Sequence, residues 1–205
     1  MRKRLLTMIG LLTWGLALFA SQTEGSDAAE KALASVEALI AQEQQMGNVD
    51  QEGQARWQKI VTLKNFSMMQ ELVTETDIQM EWFRKNNQWD NYYRTWQLKA
   101  NTLSALGKLQ LALQETQRML NDAKERNNNL GRAMAYKQIG IIYLNMKQTE
   151  PAVEALLHYA ELIKDEESDI SSLSNIYYRI AKAYDYDTKK IGKRSTRTRG
   201  ASSRR

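Results

Sequence analysis

A short pattern returns three times along this chain of 205 residues, and its spacing limits what the chain can become. The copies are Trp96-Lys99-Ala100-Leu103, Tyr136-Ile139-Gly140-Tyr143 and Tyr177-Ile180-Ala181-Tyr184. Each runs aromatic, two residues, Lys or aliphatic, small residue, two residues, then an apolar or aromatic residue. The small residues stand at 100, 140 and 181, about forty apart. A fixed period of this length is expected of helical hairpins that bury their apolar faces by stacking on one another. Such a stack offers a surface rather than a pocket built around reactive groups, so the prior moves from catalysis toward recognition.

The stretch between the chain ends reads as helix throughout. It holds a single Pro, few β-branched runs, and glycines concentrated where helices should stop. The pattern predicts helices over Ala28 to Met46, Gln54 to Lys64, Met68 to Lys85, Trp89 to Leu106, Lys108 to Arg126, Gly131 to Met146, Glu150 to Lys164 and Ser171 to Tyr186. Breaks are expected at Gly47-Asn48-Val49-Asp50, Asn86-Asn87, Gly107, Asn127-Asn128-Asn129 and Lys147-Gln148. Pro151 fits this phase, because Pro is tolerated in the first turn of a helix, with Thr149 ahead of it to cap. Ala152, Leu156, Leu157 and Ala160 then form one stripe, with Glu154 and Glu161 turned to water. Ala100, Gly140, Ala112 and Ala152 are expected where helix backbones approach closely, with the aromatics filling the space between hairpins.

These residues resemble the tetratricopeptide repeat (TPR), W-x₂-L-G-x₂-Y, then A-x₃-F, then P. Tyr136-x₂-Ile139-Gly140-x₂-Tyr143 followed by Ala152-x₃-Leu156 matches well, whereas the Trp96 copy has Lys99 in the aliphatic place and Thr116 where an aromatic belongs after Ala112. The resemblance implies an all-α fold, a right-handed α-solenoid of TPR-like hairpins. The repeats are expected over 54–188: a degenerate copy at 54–88 built on Trp57-x₂-Ile60-Val61, full copies at 89–129 and 130–168, and an incomplete one at 169–188. An N-terminal segment with one helix, 21–53, precedes them.

The chain ends differ in kind from this body. Arg2, Lys3 and Arg4 precede an uncharged, mostly apolar run from Leu5 to Ala20, with small residues at Ala17, Ala20 and Ser21. This is the three-part layout of a signal peptide, 1–20. The run is shorter than the roughly 20 apolar residues of a membrane span. A periplasmic or secreted location is expected, the alternative being an uncleaved anchor in the inner membrane with the body outside the cytoplasm. With no Cys, neither a lipoprotein anchor nor a disulfide framework is possible for this chain. Residues 189–205 carry eight Lys and Arg and no acid, a composition expected to stay disordered. Of the 29 basic residues, three lie in the signal and eight in this tail, so the body keeps 18 against all 24 acids, a net charge of −6. The overall +5 therefore says nothing about the folded part, and no nucleic-acid partner is expected.

The stretch from Tyr92-Tyr93-Arg94-Thr95-Trp96 through Ala123-Lys124-Glu125-Arg126-Asn127-Asn128-Asn129 to Ala133-Met134-Ala135-Tyr136 also resembles the periplasmic sensor region of Bacteroidetes membrane histidine kinases. In that family a transmembrane helix, a kinase and a response regulator follow the repeats. Here Ala183-Tyr184-Asp185-Tyr186 gives way to the Lys/Arg tail, which implies a receptor truncated before those parts. The function implied is a non-catalytic ligand- or protein-recognition module of the two-component sensor type. The alternative is a stand-alone secreted TPR scaffold without a signalling role.

Catalytic chemistry finds no footing in the sequence. The single histidine, His158, lies between Leu157 and Tyr159 in an apolar stripe and reads as a packed or edge residue. One His and no Cys cannot build a typical zinc site, and neither a phosphate-cradling Gly-rich loop nor a nucleophile elbow occurs. No catalytic residue, metal or cofactor is therefore expected. A binding surface is instead expected on the concave face lined by the first helices of the hairpins, from Arg94, Gln97 and Asn101, then Lys137 and Asn145, then Tyr178 and Lys182. Arg94, Lys137 and Lys182 would form a basic strip for an extended peptide or an anionic group, with Asn101 and Asn145 bonding the peptide backbone. The incomplete last repeat is expected to expose Ile176, Ile180 and Tyr184 and to invite self-association.

Overall fold

A computed structural model describes residues 27–164, 174–185 and 188 of the chain. Every element among them is an α-helix. The first, α1, covers 27–46. Then follow α2 (Val49–Asn65), α3 (Met69–Lys85), α4 (Trp89–Ala105), α5 (Leu109–Glu125), α6 (Asn129–Asn145) and α7 (Thr149–Ile163). The last, α8, covers 174–185. The fold is all-α and built of TPR-like hairpins, as the period predicted. The expected signal peptide and the basic tail lie outside the described residues.

One turn, repeated, sets the frame. Residues with left-handed backbone stand at Gly47, Ser67, Asn87, Gly107, Asn127 and Lys147, one every twenty positions. At each, two backbone bonds close the helix end. The left-handed residue donates to the carbonyl three before it, and its successor to the carbonyl five before that successor, as in Asn87 to Arg84 and Gln88 to Phe83, or Lys147 to Leu144 and Gln148 to Tyr143. These pairs satisfy carbonyls that a helix end otherwise leaves without partners. Gly adopts this conformation freely and Asn tolerates it, whereas Ser67 and Lys147 hold it at a cost. Helix α6 has a side-chain cap, Asn128 Oδ1 accepting from Gly131 N at 2.7 Å.

Helix α2 begins at Val49, five residues before the predicted start at Gln54, because Gly53 does not break it. A Cβ on Gly53 would meet the Gln88 side-chain amide at 2.1 to 2.7 Å, and that amide donates to the Val49 carbonyl at 3.1 Å. Gly53 leaves room for a covering side chain rather than ending a helix.

The chain divides into two compact units, one ending at Gln88 and the other beginning at Trp89. In the first, Val36, Ala55, Ile60, Leu63, Leu72, Met80 and Phe83 are buried. Lys59 on α2 meets Glu37 of α1 at 3.0 Å and Glu75 of α3 at 3.1 Å. Burial pulls the Lys59 pKa down, but its hydrogen bonds to these two carboxylates and their charges outweigh that and leave it above the ordinary lysine value.

In the second unit Ala100, Ala112, Gly140 and Ala152 are buried, whereas Ala181 is exposed. A Cβ on Gly140 would lie 2.6 Å from the Leu156 side chain and 3.2 Å from the Ala152 carbonyl, so α6 and α7 approach at a distance that only Gly permits without a shift. Trp96, Ala100, Leu103, Ala112, Ile139, Ala152 and Leu156 are all buried, while Tyr136 and Tyr143 are half-buried. Tyr93 hydroxyl donates to Asp122 at 2.8 Å, and burial first, that bond second, holds its pKa well above the usual phenol range.

The phase of the repeat is corrected at both of its weaker copies. A strict period of forty aligns Arg56, not Trp57, with Trp96 and Tyr136, and it brings Ile176 rather than Tyr177 to the same place. Burial follows this phase: Ile176 is 2% exposed and Tyr177 is 55% exposed. Ile176 packs with Ala133, Leu156, Tyr159 and Ile163, and Ile180 is partly buried against the same cluster. Tyr177, Ala181 and Tyr184, expected to pack between hairpins, are exposed. Of the residues expected to lie bare on the last helix, Tyr184 does so, whereas Ile176 is covered by α6 and α7.

Candidate binding groove

The seating of α8 by Ile176 and Ile180 leaves a groove beside it. Leu144 and Asn145 at the end of α6, Lys147 in the turn, and Thr149 at the start of α7 form one wall. Asn175, Tyr178, Arg179, Lys182 and Ala183 of α8 form the other, around a volume of about 410 Å³. That size falls within the range of ligand pockets, roughly 300 to 1,000 Å³. Among the described residues the lining holds three cations and no carboxylate, over an apolar floor of Leu144 and Ala183. Arg179 Nε donates to Asn175 Oδ1 at 2.8 Å, which orients the guanidinium along α8. The Lys182 ammonium sits 5.8 Å from the centre of the Tyr178 ring. Asp185, one helical turn beyond Lys182, is the nearest acid in sequence on α8 and has an interaction of its own.

Three of the seven predicted surface residues, Asn145, Tyr178 and Lys182, meet in this groove. The other four do not. Arg94 and Asn101 are exposed on α4, and Gln97 Nε2 donates to the Met134 carbonyl at 3.5 Å. Lys137 is half-buried with its ammonium 5.3 Å from the Tyr159 ring, so it is spent on α7. The expected strip also fails in phase, since the forty-residue period pairs Lys137 with Gln97 and Arg94 with Met134. Lys147, Asn175 and Arg179 were missed. The signal for Arg179 was present in the period, which aligns it with Lys59, Lys99 and Ile139.

That alignment is chemically informative. Lys99 Nζ meets Glu115 Oε2 at 3.3 Å, just as Lys59 meets Glu75, and the two glutamates also stand forty apart. Both pairs are partly shielded from water. Glu115 accepts further bonds from Trp96 Nε1 at 3.0 Å and Arg118 Nη1 at 3.0 Å. In α6 and α7 the same two places hold Ile139 and Ala155, both buried. His158 is exposed, and its ring stacks on Tyr136 with centroids 4.8 Å apart. Among the described residues no cluster of His, Cys, Asp or Glu has the make-up of a metal site, and no helix is long and apolar enough to cross a membrane.

No protein-family model matches the sequence, and no curated protein does. Solved structures are similar in fold. A protein of Podosopora anserina named for the kinesin light chain, with nearly identical TPR-like repeats, superposes with a TM-score of 0.57 at 14% identity, over 86% of this chain and 87% of that one. A second crystal structure of that protein gives 0.56 over the same shares. The chain has a TPR-like helical-repeat fold. MamA from Desulfovibrio magneticus RS-1 overlaps more loosely, with a TM-score of 0.45 at 18% identity over 80% of this chain and 96% of that one, and the fold assignment does not rest on it. At such identities the likeness extends to the fold alone. The resemblance to sensor histidine kinases finds no counterpart among these proteins.

Proposed function

We propose that this TPR-like chain is a non-catalytic protein-recognition module that works outside the cytoplasm, as the ligand-sensing part of a two-component receptor, and that its groove along α8 takes an acidic protein segment. The observation that carries the reading is the groove itself: Lys147, Arg179 and Lys182 converge on a cavity whose lining, among the described residues, has no carboxylate, on a fold whose repeats present surfaces. Asn145 and Asn175 supply amide groups suited to a peptide backbone. The signal-like segment at 1–20 supports the extracytoplasmic location, and the likeness of 92–136 to sensor regions supports the receptor role.

Fluorescence anisotropy with a labelled Glu-Pro repeat peptide and with a labelled helical acidic peptide tests the binding reading. Saturable, salt-sensitive binding of either, weakened at least about tenfold by Arg179→Ala with Lys182→Ala, supports it. Absence of binding to both removes the groove from consideration. Fractionation of native cells with an antibody to the repeat body tests the location. A band in the periplasm slightly below 23.7 kDa or a larger one in the inner membrane is expected. A cytoplasmic band overturns it.

A further inference from the structure

We propose that the groove along α8 is the seat of a counter-helix, and that its occupant is an acidic amphipathic helix of a partner protein carrying a glutamate that pairs with Arg179. This deepens the recognition reading above and rests on it.

Asn175, Tyr178, Arg179 and Lys182 are all exposed on α8. Forty residues earlier, α6 carries Ala135, Gln138, Ile139 and Ile142 at these places, every one of them buried. On α4 the same phase gives Thr95, Leu98, Lys99 and Thr102, all buried but the half-buried Leu98. One helix face is thus covered in two hairpins and bare in α8. The ion pairs identify what covers it: Lys99 is met by Glu115 of the following helix, and in the first unit Lys59 is met by Glu75 of the following helix. In both cases the carboxylate comes from the seventh residue of the second helix of the hairpin.

Arg179 continues this series, and a guanidinium suits a partly shielded carboxylate at least as well as an ammonium does. Among the described residues it meets no carboxylate. The chain's own sequence does not supply one at the matching distance. Counting eighty from α5 reaches residues 189–205, with Ser195 in the place of Glu75 and Glu115. Those seventeen residues hold eight cations and no acid, so beside Lys147, Arg179 and Lys182 they would add like charge to like charge. A complementary helix must be acidic, which residues 189–205 are not; a partner protein supplies it. Tyr178 beside Arg179 adds the residue types that concentrate binding energy at protein interfaces.

The chain itself provides the probe. A labelled peptide of the α5 sequence, Leu109–Glu125, end-capped and stapled to hold its helix, presents an acid-bearing second helix of the right length. We expect it to bind the full chain at least about tenfold more tightly than an extended Glu-Pro peptide, and Glu115→Lys in the peptide to abolish that advantage. Arg179→Glu in the protein should reject the original peptide and accept the Glu115→Lys peptide. Because Arg179 is exposed, circular dichroism should be unchanged by that substitution. Recovery by paired charge reversal is an outcome that a merely folded or misfolded variant does not give. Equal binding of helical and extended peptides overturns the counter-helix while leaving the recognition reading intact. Loss of binding to both defeats the two together. A dimer of the chain alone in sedimentation, dissolved by Arg179→Glu, assigns the seat to a second copy and overturns the partner.

Discussion

The α4/α5 and α6/α7 hairpins share a turn, yet they fill the same two places with opposite chemistry. In α4/α5 a lysine and a glutamate meet behind Trp96, and Thr116 spends its hydroxyl on the Ala112 carbonyl at 2.7 Å. In α6/α7 those places hold Ile139, Ala155 and Leu156, and Tyr159 stands where α5 has Met119. The apolar version packs closely enough to require Gly140, and its outer side receives Ile176 of α8. A polar pair at that place specifies which helix is accepted, because one carboxylate must arrive at one position. Apolar residues there give more packing and less discrimination.

The largest expected effect breaks the apolar side. Leu156→Ala removes a fully buried side chain that touches Gly140 and the Ile176 cluster, and should cost about 2 to 5 kcal/mol in chemical denaturation. A loss below about 1 kcal/mol would mean that α6, α7 and α8 are less closely packed than described.

The next effect lies on the ionic side and sharpens the contrast. Glu115→Ala takes a carboxylate away from both Lys99 and the Trp96 indole and should cost about 2 kcal/mol, whereas Lys99→Ile should cost about 1 kcal/mol or less. A double-mutant cycle should return a coupling of roughly 1 kcal/mol between them, and the same cycle on Ile139 and Ala155 should show no charge-dependent part. Additivity of the first pair, or equal salt dependence in the two cycles, would remove the distinction between hairpins.

A smaller test addresses the turn that both share. Ser67→Gly relieves a left-handed residue and should raise stability by about 0.5 to 1 kcal/mol, and Gly107→Ala should lower it by about 1 kcal/mol. Thermal melts with opposite shifts are the expected outcome, and equal shifts would mean that the twenty-residue frame does not depend on these positions.

The smallest effect is one of pH. Lys59 in the first unit and Tyr93 in the second both hold their protons more tightly when folded, with pKa values above the ordinary 10.5 and 10.0. Their contributions are therefore complete below about pH 10 and are lost as the pH rises through the folded-state values. Melting temperature should fall on the alkaline side, and Tyr93→Phe should flatten part of that slope. An unchanged slope would mean that neither burial nor the Asp122 bond raises the Tyr93 pKa.

Repeat period, helix count and nearly every helix end were legible before any coordinates, because left-handed turn residues and apolar spacing are local properties. The Trp96 and Tyr136 copies were placed in phase for the same reason. What the sequence did not decide was the phase of α2 and α8. A slip of one residue turns a helix face by about 100°, and with aromatics at Trp57 and Tyr177 either phase satisfies the pattern. Only contact with α6 and α7 selects Ile176 as the buried residue, and that choice aims Asn175, Tyr178, Arg179 and Lys182 into one groove with Asn145 and Lys147. Lys137 could not be separated from Lys182 by composition, since the two differ in whether a ring on a neighbouring helix stands within reach. Local propensity made this chain a series of hairpins, and packing between helices decided which of its charges share a site.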